Sequence, residues 1–158
     1  RNEVLLNDIA VEAGQTSLGC TSFYMDAGFD PLFPFGYGLS YTTFKYSNIK
    51  LASDVLKKDD VLTVTFDLEN TGKYEGTEVA QLYIQDKIGS VTRPVKELKG
   101  FEKIFLKAGE SKQVSFKLTA DMLKFYNYNL DFVCEPGDFE VMIGGDSRDV
   151  NKALFSLQ

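Results

Sequence analysis

The stretch from Pro31 to Phe44, PLFPFGYGLSYTTF, constrains this chain more than any other segment. It is too aromatic for a solvated linker and too interrupted by proline and glycine for one regular element. Pro31 and Pro34 fix their own φ angles and push Asp30 and Phe33 toward extended backbone, while Gly36 and Gly38 permit turns and close approach. Phe33, Phe35, Tyr37, Leu39, Tyr41 and Phe44 each gain about 1.5 to 3 kcal/mol by leaving water, so the segment is expected to pack as a wedge. Two surfaces can receive it: the chain's own core, or a neighbouring domain. The second assigns interdomain packing to Phe33, Phe35, Tyr37, Leu39 and Tyr41.

Beyond the wedge the pattern has a period of two. A first strand is expected from Tyr41, with Thr42, Phe44 and Tyr46 in phase. Val61 to Glu69 places Leu62, Val64, Phe66 and Leu68 on one face and Thr63, Thr65, Asp67 and Glu69 on the other, the signature of a half-buried antiparallel strand. Asn70-Thr71-Gly72 then turns the chain. Strands follow over Glu78 to Gln85, over Glu97 to Leu106 with a bulge near Gly100, and over Ser111 to Leu118 after a turn at Ala108-Gly109-Glu110. Ala120 to Tyr126 allows one helical turn. Phe132-Val133, Phe139 to Ile143 and Ala153 to Leu157 complete seven or eight short strands. This spacing predicts an all-β, two-sheet antiparallel sandwich whose core holds Leu62, Val64, Phe66, Leu82, Ile84, Val114, Phe116, Phe139, Val141 and Ile143. Residues 1 to 30 show no clean period, apart from a short strand expected at Thr21 to Asp26, and read as the tail of a preceding domain or a linker.

Composition narrows the function. At 158 residues and 44% apolar content, one domain with a real core is affordable, and no run approaches the ~20 apolar residues of a membrane span. Residues 1 to 30 lack a basic start followed by an apolar block, so no signal peptide is expected within them. A net charge of -6, from 23 acidic and 17 basic residues, disfavours nucleic acid as a partner. The absence of histidine rules out Ser-His-Asp and Cys-His catalysis within this chain, and with it a His-ligated zinc site. Cys20 and Cys134 form no CxxC motif; the sequence leaves open whether they pair or stay idle thiols.

The acidic residues offer no obvious catalytic pair. Glycoside hydrolysis needs two carboxyl groups flanking the scissile bond, whereas Asp67 and Glu69 fall on a solvent face and Asp59-Asp60 in a turn. Asp146-Ser147-Arg148-Asp149 lacks calcium-loop spacing and reads as a hairpin end. Lys96, Lys99, Lys103 and Lys107, interrupted by Glu97 and Glu102, read as an exposed strand face. No cofactor or metal is expected.

The wedge, together with Glu69-Asn70-Thr71-Gly72, Gly76 to Ile84, Arg93 to Phe101, Ala108 to Ser111 and Glu135 to Phe139, resembles in order the C-terminal fibronectin type III-like domain of glycoside hydrolase family 3 enzymes, the β-glucosidases and β-xylosidases. The resemblance covers residues 31 to about 145 and implies a fibronectin type III-like topology. It also implies the organisation: residues 1–30 as the end of a preceding domain, 31–41 as an interdomain wedge, and 42–158 as the sandwich. In such enzymes the catalytic Asp and Glu lie in other domains, so no catalytic residue is carried over and the chain alone is expected to be inert. The expected partners are the catalytic domains of the same parent chain, a retaining enzyme whose substrates are terminal β-glucosides or xylosides, in a bacterial periplasmic or secreted setting. Tyr24, Asp26 and Phe29 are candidates for the rim of the parent's active site. The sequence leaves open a homodimer through the wedge, a carbohydrate-binding module using Tyr126 and Tyr128, and an adhesion or scaffold domain with no enzyme attached.

Overall fold

The computed structural model describes residues 31–158. Tyr24, Asp26, Phe29, Cys20 and the strand expected at Thr21 to Asp26 lie outside the described residues. The chain divides into two compact units, Arg1–Pro34 and Phe35–Gln158.

The second unit is a two-sheet sandwich. Strands β1 (Phe44–Leu51), β3 (Val61–Asn70) and β6 (Ser111–Thr119) form one antiparallel sheet in the order β1-β3-β6. The other sheet runs β2-β10-β9-β4-β5, from β2 (Val55–Leu56), β4 (Gly76–Asp86), β5 (Glu97–Leu106), β9 (Gly137–Gly144) and β10 (Val150–Leu157). A short 3-10 turn (Ala120–Leu123) leaves β6 and leads into a separate two-stranded arm, β7 (Phe125–Tyr126) and β8 (Phe132–Val133).

The alternation in β3 produces what the period requires. Leu62, Val64, Phe66 and Leu68 are all buried, and they join Leu82, Ile84, Val114, Leu118, Phe139, Val141, Ile143, Phe155 and Leu157 in one apolar cluster contributed by both sheets. Phe116, expected in the centre, is only partly buried; it stacks on Phe66 at 5.8 Å between ring centroids, and Tyr46 stacks on Phe66 at the same distance. Such ring pairs add to area burial.

Two bulges bend the sandwich. In β1 the register with β3 slips between Ser47 and Lys50; there Asn48 adopts φ 54° and donates from Nδ2 to Asp67 Oδ2 at 2.7 Å. In β5 the slip falls where Leu82 pairs with Gly100 and Tyr83 with Leu98, which places the bulge at Lys99-Gly100. Strand β2 escaped the sequence reading. Two residues carry no periodicity, yet Leu56 is buried and the pair adds in parallel to the C-terminal end of β10.

The basic run is not a uniformly exposed face. Lys99 Nζ pairs with Glu97 at 2.7 Å, and Lys96 Nζ donates to the backbone carbonyl of Ser147. The strand pattern marked where these residues lie in sequence but not which carbonyls fold back over them.

Candidate functional site

The wedge residues within the second unit are held from below and open above. Thr42, at the wedge's end, donates from Oγ1 to Asn70 Oδ1 at 2.6 Å. Asn70 is fully buried; its Nδ2 donates to the carbonyls of Tyr74 (2.8 Å) and Leu106 (3.1 Å), while its Oδ1 also accepts from the Gly72 N–H at 3.1 Å. Thr71 N–H reaches the Thr43 carbonyl at 2.8 Å. One amide side chain thereby ties the wedge, the β3–β4 turn and the end of β5 into one polar knot. In the sequence Asn70 marks a turn, and its place in phase after four alternating apolar residues is the signal that it points inward. Gly72 is required by this closeness: a Cβ there would sit 2.1 Å from Thr42 Oγ1 and 2.9 Å from the Thr43 nitrogen.

A second anchor lies on the outer face of the five-stranded sheet. Gln81, buried although it points away from the sandwich core, donates from Nε2 to the carbonyls of Gly36 (3.2 Å) and Gly145, and its Oε1 accepts from the Tyr83 hydroxyl. Phe35 meets the buried Tyr83 ring edge-on, 6.4 Å between centroids, and its carbonyl accepts from the Ser147 N–H at 2.8 Å. Gly36 turns the chain over this seat at φ 81°, where a Cβ would lie 2.1 Å from Gln81 Oε1. Alternation within β4 puts Gln81 and Tyr83 on the face away from the core, and the coil at Phe35 and Gly36 lies over both of them.

Above these anchors the apolar rings stay in solvent. Phe35, Tyr37, Leu39 and Tyr41 remain 65%, 45%, 90% and 97% exposed. Phe33, in the first unit, is 63% exposed. Beside the strip opens a hollow of about 360 Å³, lined by Tyr37, Leu39, Tyr46, Glu78 and Asp146 among others. Tyr46 donates its hydroxyl to Glu78 Oε1 at 2.8 Å. Burial, and then the Glu78 charge, raise the Tyr46 phenol far above its ordinary range, so it stays a donor. Burial likewise pushes the Glu78 carboxyl up, the Tyr46 hydrogen bond opposes this, and the nearby Asp146 charge adds to it.

At the opposite pole Arg93 lies over the Phe125 ring, 4.2 Å from its centroid, and pairs with Glu97 and, at 4.0 Å, with Asp86. Burial raises the Asp86 carboxyl, and Arg93 counters it only in part. Ser90 donates from N and Oγ to Glu135 at 3.0 and 2.6 Å, which holds Glu135 below the usual carboxylate range. Glu140 sits between Lys87 and Lys152, both at 3.2 Å. Asp146 Oδ1 accepts from the Arg148 and Asp149 N–H groups, closing the β9–β10 hairpin as expected for a hairpin end. Among the described residues no group of His, Cys, Asp and Glu could hold a metal ion, Cys134 is a free thiol, and no helix is long and apolar enough to cross a membrane.

Comparison with known proteins gives one consistent result. Residues 78–147 match the family model of the fibronectin type III-like domain. Over 137 residues, 87% of this chain, it is 50% identical to the periplasmic β-glucosidase of Salmonella typhimurium; over 135 residues it is 51% identical to a putative β-xylosidase of Formosa agariphila. In each case the chain spans only 18% of the relative's length. Among solved structures, the β-glucosidase of Listeria innocua in complex with isofagomine superposes with a TM-score of 0.80 at 39% identity, over 92% of this chain and 21% of that one.

Proposed function

The chain carries the fibronectin type III-like domain of family 3 β-glucosidases and β-xylosidases, and from that premise we propose that it is a noncatalytic structural module of such an enzyme. In this reading the parent hydrolyses terminal β-linked glucosyl or xylosyl residues. Residues 42–158 form the module and residues 31–41 the wedge that docks on the catalytic domains of the same chain.

The observation that carries the proposal is the wedge itself. Gln81 holds the Gly36 carbonyl and Asn70 holds the Thr42 hydroxyl just past the wedge's end, yet Leu39 and Tyr41 lie almost wholly in solvent. Ordering a coil costs conformational entropy, and an ordered coil that exposes its apolar side chains is favoured only if something else buries them. The acidic residues support the noncatalytic role: Asp67, Asp86, Glu97, Glu135 and Glu140 are each committed to a local hydrogen bond or ion pair.

The test is a pair of substitutions, Leu39→Asp and Tyr41→Asp, made both in this chain and in the full-length enzyme. The isolated chain should keep its melting temperature, since both side chains already face water. The full-length enzyme should lose several degrees and inactivate faster on heating, with kcat of the surviving fraction unchanged. An unaltered full-length enzyme would remove the docking role.

A further inference from the structure

The arm formed by β7 and β8 takes no part in the wedge. It follows β6 and precedes β9, whereas the wedge seat at Gln81 and Gly145 lies at the far end of β9. The eight residues of β9 separate the two by about 25 Å at ~3.3 Å per residue. If the wedge pole meets the catalytic domains, the arm projects from the other pole.

The arm is rigid and aromatic. Phe125 is buried under the Arg93 guanidinium and anchors its base. Tyr126 and Phe132 are cross-strand partners, their rings 4.9 Å apart and tilted 40°, and both are more than half exposed. At the tip Asn127 Oδ1 accepts from the Asn129 and Asp131 N–H groups at 2.9 and 3.0 Å, Asn127 N–H donates to the Asp131 carbonyl at 3.0 Å, and Leu130 is held at φ 66° by its N–H on the Asn127 carbonyl. Tyr128 stands 90% exposed on this locked turn. A non-glycine residue at positive φ persists only where its surroundings impose it.

We propose that the arm is a glycan-binding platform. Tyr126, Phe132 and Tyr128 would stack on the C–H faces of successive pyranose units, while the exposed Asn129 and Asp131 and the phenol hydroxyls would meet the sugar hydroxyls. Along YNYNLDF a polar group follows each of Tyr126, Tyr128 and the exposed Leu130, which distinguishes this surface from the wedge, whose exposed side chains are largely apolar. A sugar has that same alternation, an apolar face edged by hydroxyls, and a few placed polar groups then fix its orientation. The locked turn spares the ordering cost that a mobile loop would pay on binding. The choice of β-linked polysaccharides as ligand rests on the glycosidase reading above; the site itself does not depend on the wedge.

Affinity electrophoresis of the 158-residue chain in native gels containing laminarin, hydroxyethyl cellulose or xylan tests this directly. Retardation is expected in at least one gel. Tyr128→Ala and Tyr126→Ala should each weaken the apparent affinity at least tenfold, while Tyr74→Ala, an exposed tyrosine elsewhere, should not. Circular dichroism would verify that each variant is folded. The proposal is overturned if no polysaccharide retards the chain, or if retardation survives both arm substitutions. It is likewise overturned if the chain is not retarded and Tyr128→Asp lowers the melting temperature of the full-length enzyme, since the arm would then be an internal protein interface. None of these outcomes bears on whether the wedge docks.

Discussion

Asn70 shows how much one side chain can decide. Its amide satisfies groups from the wedge's end, the β3–β4 turn and the end of β5, and its bonds to Thr42 and Leu106 lie away from water. Asn70→Ala leaves those partners buried and unpaired, at about 1 to 3 kcal/mol each where water cannot replace the bond. Urea unfolding should show a loss of about 3 kcal/mol or more; a loss under about 1 kcal/mol would mean that the knot relaxes without it. Glu78 makes a prediction in pH. Its folded-state pKa is raised above the ordinary value of 4.5, chiefly by burial. The unfolded state therefore binds fewer protons than the folded state just above that pH, and the stability attributable to Glu78 falls as pH rises through this window. Glu78→Gln keeps an acceptor for the Tyr46 hydroxyl but cannot ionise, so its stability relative to wild type should rise with pH from about 4.5 upward. A constant difference across the window would show that Glu78 titrates as in the unfolded chain.

At the scale of elements, what the sequence revealed depended on whether burial was local. Strand β3 was legible because its alternation is set by a single sheet face, and the bulge at Gly100 because glycine interrupts an otherwise regular strand. Strand β2 was not, since two residues have no period and gain their place only by pairing with β10, about a hundred residues away. The cover over the outer face of β4 is illegible for a related reason: Gln81 and Tyr83 lie beneath Phe35 and Gly36, and no pattern within β4 encodes that. For the wedge, composition announced that its rings need partners, but the hydrogen bonds beneath it come from Asn70 and Gln81, which look unremarkable in sequence. If β2 is a working part of the sheet, Leu56→Ala should cost about 2 to 5 kcal/mol, as for other buried leucines, measured by thermal or urea unfolding. A cost below about 1 kcal/mol would reduce β2 to a loosely attached loop.

At the scale of the whole sandwich, the two poles differ in what they expose. One carries a fixed but uncovered apolar coil beside an acidic hollow; the other carries an aromatic arm pinned by Arg93. The sandwich between them supplies rigidity, and a fold of this kind does not by itself dictate function. The most direct test of the supporting role is hydrolysis of a chromogenic β-glucoside by the 158-residue chain and by the full-length enzyme under the same conditions. The account predicts turnover by the full-length enzyme and none by the chain. Turnover by the chain would contradict it, and would require a carboxylate pair among acidic residues that are here assigned to surface and structural roles.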